Sequence, residues 1–207
     1  MKKSLLVLPA LMLLLAACTP VEPGTSEPID SVPPSSGGPA LVSLKSVITT
    51  TNLLGWEGTN ISYGDGTDVE IDGVKYDYVE LGEYGSGIQM RNKVADGGSA
   101  SQLFNTTTIE GGVIDSIVIK YNGDKYTSYA PTAQLEYWGG ATAQGELESG
   151  TGTILADTQE GVFDYTINFG AAAGVKFFKI LKAVVDDANY SVYLNAIEVN
   201  WLVPAVA

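Results

Sequence analysis

Residues 162–169 alternate. Phe163, Tyr165, Ile167 and Phe169 fall on one side of an extended chain, and Asp164, Thr166 and Asn168 on the other. A period of two sets one face against a core and the other in water, the pattern of a half-buried strand. Residues 191–201 repeat it: Tyr193, Ile197, Val199 and Trp201 share a face, Asn195 is a polar exception, and Glu198 and Asn200 lie opposite. In residues 113–121, Ile117, Ile119 and Tyr121 point one way while Ile114 and Val118 are apolar on the other, which predicts a strand covered on both faces. Asp72-Gly73 separates β-rich residues 67–71 from 74–81. Asp-Gly in that position predicts a type I′ hairpin, because both turn residues need positive φ.

Further strands are expected at residues 42–49, 87–91, 102–105, 133–138, 152–155 and 175–180. Residues 175–188 also fit an amphipathic helix, with Phe177, Leu181, Val184 and Ala188 at helical spacing. A strand is preferred over the first half of that stretch, on the strength of Phe177-Phe178. Twenty-four glycines and eleven tyrosines suit many short strands joined by tight turns. The prediction is an all-β domain over residues 41–203 of sandwich or jelly-roll type, with 204–207 as a tail.

The beginning of the chain is of another kind. Met1-Lys2-Lys3 is followed by an apolar run of 13 residues, 5–17. A membrane span needs about 20 apolar residues, so residues 1–17 read as a removable secretory signal. Leu15-Ala16-Ala17-Cys18 resembles the box at which bacterial lipoproteins are cut and lipidated. The resemblance implies diacylglycerol on Cys18, the one cysteine in the chain, and hence a membrane partner outside the cytoplasm. With Cys18 so used no disulfide is available, and the fold rests on its core. Residues 19–40 hold six of the nine prolines and few apolar side chains. Such a segment cannot bury enough surface to offset ordering entropy, and it reads as a disordered tether of at most about 70 Å.

From residue 67 to 201 the order of segments resembles jelly-roll β-sandwich domains of bacterial surface and secreted proteins. The segments are Gly87-Ile88-Gln89-Met90-Arg91, Leu103-Phe104-Asn105-Thr106-Thr107, Gly112-Val113-Ile114-Asp115-Ser116-Ile117, Lys176-Phe177-Phe178-Lys179-Ile180 and Val192-Tyr193-Leu194-Asn195-Ala196-Ile197. The layout is similar to galactose-binding-like and carbohydrate-binding modules. That resemblance implies a sandwich fold and a carbohydrate ligand.

Composition narrows the chemistry. Once Lys2 and Lys3 leave with the signal, nine basic residues face 24 acidic ones, a net charge of −15. This argues against nucleic acid as a partner. The chain has no histidine, which removes Ser-His-Asp and Cys-His arrangements and the common zinc sites. A carboxylate pair for glycoside hydrolysis is the catalytic arrangement left open. A non-enzymatic binding role is the expectation. Trp56 and Trp138 sit beside glycines at strand ends, where flat rings stack on sugars. Tyr137, Gln134, Tyr126, Tyr129 and the single arginine, Arg91, are candidates for the same surface. The alternative is that both tryptophans plug the ends of the sandwich and Arg91 pairs with an acid. Asp65, Asp68 and Glu70 offer oxygens at alternating positions and suggest Ca²⁺, against the alternative of a solvated acidic turn. The expected role is a surface lipoprotein binding an extracellular ligand, foremost a glycan. The alternatives are an envelope protein that recognises other proteins, and a hydrolase.

Overall fold

The computed structural model describes residues 40–59, 61–84, 87–91, 97–122, 134–143, 152–155, 163–182 and 191–205. The expected signal, Cys18, all of the tether but Ala40, Tyr126, Tyr129 and residues 183–190 lie outside them. Among the described residues no helix is long and apolar enough to cross a membrane.

The fold is all-β. Its strands are β1 (Leu41–Ile48), β2 (Ile61–Ile71), β3 (Val74–Tyr84), β4 (Gly87–Met90), β5 (Gln102–Asn105), β6 (Val113–Tyr121), β7 (Gln134–Gly140), β8 (Gly152–Leu155), β9 (Phe163–Asn168), β10 (Phe177–Lys182) and β11 (Val192–Pro204). All pairings are antiparallel. β10 alternates half-buried and buried residues as a strand should, so the helical spacing at its start does not win. β11 continues to Pro204, which takes that residue out of the expected tail.

Two strands curl the sheet. β3 pairs β2 along one edge and both β5 and β4 along the other; β11 pairs β6 along one edge and both β4 and β1 along the other. The short β4 therefore joins a β2-β3-β5-β10-β7-β8 half to a β9-β6-β11-β1 half. One hydrophobic cluster takes side chains from both halves, including Tyr76, Leu103, Phe178 and Ile180 from the first and Ile48, Ile119, Val199 and Trp201 from the second. The Tyr137 and Phe169 rings meet edge to face across it, 6.4 Å apart. Gly139 makes room: a Cβ there would lie 2.5 Å from the Phe169 ring.

The strands are not simple alternators. In β11, Leu194 pairs Tyr121 and Ala196 pairs Lys120, leaving Asn195 without a partner in β6. This β-bulge reverses which parity faces inward. Val192 and Leu194 precede it in the core; Ile197, Val199, Trp201 and Val203 follow. Tyr193 therefore lies on the opposite face from Ile197, not beside it. In β6, Asn200 pairs Ser116 and Trp201 pairs Ile114, so Asp115 is the extra residue. Ile114 joins Ile117, Ile119 and Tyr121 in the core, and only Val118 faces out, half-buried. The apparent two-sided hydrophobicity of this strand is one face interrupted by a bulge.

Local chemistry explains the remaining boundaries. The hairpin turn holds Asp72 at φ 52° and Gly73 at φ 77°, as type I′ requires. β1 stops one residue early because Thr49 caps a short helix, α1 (Thr50–Leu54). The Thr49 hydroxyl accepts from the Asn52 N–H while the Asn52 side chain accepts from the Thr49 N–H. Asn105 is buried and fully engaged: its amide donates to the Thr107 and Lys176 carbonyls and accepts from the Phe178 N–H, stitching β5 to the start of β10.

Candidate functional site around Arg91

Trp138, expected to present a flat face, does not. Trp138 is 2% exposed. Its strand neighbour Gly140 has no side chain to lift it, and a Cβ there would lie 2.5 Å from the indole. The Gly139-Gly140 pair, read from sequence as a loop edge, is a packing device on both faces of β7. Tyr137 points the other way, into the core, where burial pushes its phenol above the usual range. Trp56 is half-buried behind the α1 terminus, its backbone N–H donating to the Thr50 carbonyl. Of Gln134 only the backbone, paired to Leu155, is described. Arg91 follows β4, and β10, β5 and β3 separate it from β7 in the sheet order. Trp138 and Tyr137, on opposite faces of β7, therefore do not share a surface with Arg91.

The acidic stretch of β2 also has structural employment. Asp65 Oδ1 accepts from the Glu80 N–H at 2.9 Å. Asp68 is a bulge residue at φ 55°; its N–H donates to Asp77 Oδ1, and its carboxylate meets Lys75 Nζ at 3.3 Å. Glu70 is exposed opposite Lys75. Among the described residues no group of three or more acidic or cysteine side chains stands close enough to hold a metal ion.

Arg91 is different, and its setting begins at Glu80. β3 pairs β5 through Val79 and β4 from Leu81 onward, and Glu80 is the extra residue at the change. It sits at φ 51°, a left-handed conformation costly for a residue with a Cβ. Three partners hold it there: Asp65 takes its N–H, the Ser101 hydroxyl donates to its carbonyl, and Arg91 Nη2 donates to its carboxylate at 2.8 Å. Ser101 is fully buried. Its hydroxyl also accepts from the Arg91 N–H, its own N–H donates to the Arg91 carbonyl, and its carbonyl accepts from the Lys182 N–H. It is the knot where β3, β4, β5 and β10 meet.

The guanidinium lies 3.3 Å above the centre of the Tyr63 ring. Such stacking adds about 1–2 kcal/mol when partly desolvated. Tyr63 in turn rests over Gly82, where a Cβ would lie 3.2 Å from its ring. The Tyr63 hydroxyl meets Ser191 Oγ at 3.4 Å. Burial pushes this phenol up to about 12, so it stays protonated throughout the physiological range. Beside it, Gly82, Gln89 and Tyr193 form one cross-strand row, and Gln89 Nε2 donates to the Tyr193 hydroxyl at 2.8 Å. The side chains of Arg91 and Glu80 are 24% and 29% exposed. The result is a half-open patch in which a fixed ion pair, a primary amide and phenolic and aliphatic hydroxyls gather on the outward face of β3, β4 and β11.

Sequence reasoning singled out Arg91 because it is the one arginine. It missed Tyr63, Glu80, Gln89, Ser101 and Tyr193, which reach the cluster from separate strands. Gly82 is the local trace they leave, since a glycine inside a strand marks close approach. No family model matches the chain, and no curated protein is similar to it.

Proposed function

We propose that this protein is a cell-envelope lipoprotein, held at the membrane through lipid on Cys18, whose β domain binds carbohydrate at the Arg91 cluster without cleaving it. The observation that carries the reading is the Arg91–Glu80 pair, locked on Tyr63 and flanked by the Gln89–Tyr193 hydrogen bond. A guanidinium beside a carboxylate presents donors and acceptors side by side, the arrangement that vicinal sugar hydroxyls match. The pair is charge-balanced, which suits a neutral ligand in a protein of net negative charge. Its geometry is set before any ligand arrives, so little ordering entropy is lost on binding. This reading places the domain with the jelly-roll binding modules its sequence resembles, and it assigns no cofactor.

The test is a glycan array probed with wild-type protein and with Arg91→Ala. Retention on neutral glycans by the wild type, lost in the variant, supports the reading. No glycan retained by the wild type, or equal retention by both, removes it. Anchoring is tested separately: mass spectrometry of the mature N-terminus should find a diacylglyceryl thioether on Cys18, and an unmodified thiol would refute it.

A further inference from the structure

β1 carries the three exposed large hydrophobic residues among those described: Leu41, Val42 and Leu44, 44–49% exposed. Among the described strands it pairs only with β11, in unbroken register over all eight residues. An edge strand of this kind offers a row of backbone donors and acceptors to another chain. Proteins usually blunt such edges with proline, bulges or inward charges. β1 has no proline and no bulge, and its single charge, Lys45, is taken by Glu198 of its own sheet at 2.8 Å. In an acidic protein it is also a strand without an acid.

We propose that the occupant of this edge is β1 of a second copy, paired antiparallel about a two-fold axis at Ser43. Exposure fixes the register. Residues 41–45 are all exposed and Ser46 and Ile48 are buried, so the open segment is symmetric about Ser43. Pairing Ser43 with its own symmetry mate sets Leu44 against the mate's Val42, and Lys45 against its Leu41. The apolar side chains that continue the core-facing row of Ser46 and Ile48 then cover each other, and the two lysines stay apart. The strand is its own complement, as a two-fold interface requires. Five residues per strand bury far less than the roughly 1,200 Å² of a stable interface. The dimer is therefore weak between free molecules and forms where copies are concentrated side by side on one surface.

The test uses the full chain carrying Ser43→Cys, at high protein concentration with a mild oxidant. Directly opposed strand residues bring their Cβ atoms to within about 5.5 Å, close to disulfide reach. Wild type reports any linkage through Cys18, and Thr51→Cys serves as an exposed control on α1. The expected result is covalent dimer from Ser43→Cys forming about tenfold faster than from Thr51→Cys. Adding Val42→Lys should abolish the difference while tryptophan fluorescence stays unchanged. Equal rates for the two cysteines, or a Ser43→Cys rate indifferent to Val42→Lys, would overturn the proposal. This outcome is independent of whether the Arg91 cluster binds a glycan.

Discussion

The outward face of β11 carries two charged regions that solve the same problem differently. Toward its C-terminal half, Glu198 meets Lys45 at 2.8 Å and Lys120 at 3.6 Å, and Lys120 reaches Asp164 on β9 at 2.9 Å. These side chains cross neighbouring strands of even register; Lys45 and Asp164 stand about half in water, where salt screens them, while Glu198 between them is 17% exposed. Toward its N-terminal end, Tyr193 joins the Arg91 cluster, where the ion pair is set on an aromatic plane and held by a strained bulge at Glu80. The first region needs nothing from the fold beyond register. The second needs five strand segments to be correctly placed. A protein that needs only solubility has no use for that outlay, and the difference is why Arg91 is the proposed ligand site.

The comparison breaks first at Arg91. Arg91→Ala should lower affinity for any bound glycan about 100-fold, the loss of one charge-assisted hydrogen-bonding group of about 2–3 kcal/mol. Calorimetric titration measures this directly. Arg91→Lys should recover little, because an ammonium lacks the planar fork. The next effect separates strain from chemistry. Glu80→Gly and Glu80→Ala both delete the carboxylate and should both abolish binding. Glycine adopts the left-handed conformation freely, so Glu80→Gly should be more stable than Glu80→Ala by about 1 kcal/mol in urea unfolding.

A third charge, Lys182, gives a reference in the core. It is 2% exposed, and burial lowers its ammonium from 10.5 to about 8, with Glu136 opposing. Between these values the unfolded chain holds the proton and the folded chain releases it. Stability should therefore rise as pH increases from about 8 toward 10.5, and be lowest on this account below 8. Urea unfolding across that range should show the slope in wild type and a flatter one in Lys182→Met. The smallest effect belongs to the ladder: Lys120→Ala should leave the melting temperature and glycan affinity unchanged. Raising salt toward 1 M should loosen the exposed Lys45 and Asp164 ends of the ladder and leave glycan affinity unchanged, which binding measured across a salt series would show.

Strand positions are legible because apolar and polar residues alternate over stretches such as 163–169 and turn residues such as Asp72-Gly73 separate them. Register within strands is not. Asn195, Asp115 and Glu80 each add one residue to a strand; Asn195 shows as a polar exception and Asp115 as a change of apolar face, but which residue is extra becomes visible only when the partner strand is known. That is why Tyr193 was placed with Ile197 and why residues 113–121 looked apolar on both sides. The glycines beside Trp138 were visible but ambiguous, since the same pair serves an open loop or a ring lying flat. Asp65 and Asp68 resemble metal ligands because a bulge N–H, as at Glu80, and a lysine ammonium, as at Lys75, ask for the same oxygens a cation would. Tyr63, Gln89 and Ser101 carry no signal of their own beyond Gly82, because they come together from segments far apart in sequence.

Where a ligand touches the domain is read most directly by amide NMR during titration with a neutral oligosaccharide retained on the array. The prediction is that shifts concentrate at Tyr63, Glu80, Gln89, Arg91 and Tyr193 and are absent in Arg91→Ala. Shifts centred on Lys120 and Glu198, or along β7 around Trp138, with the Arg91 cluster silent, would contradict it.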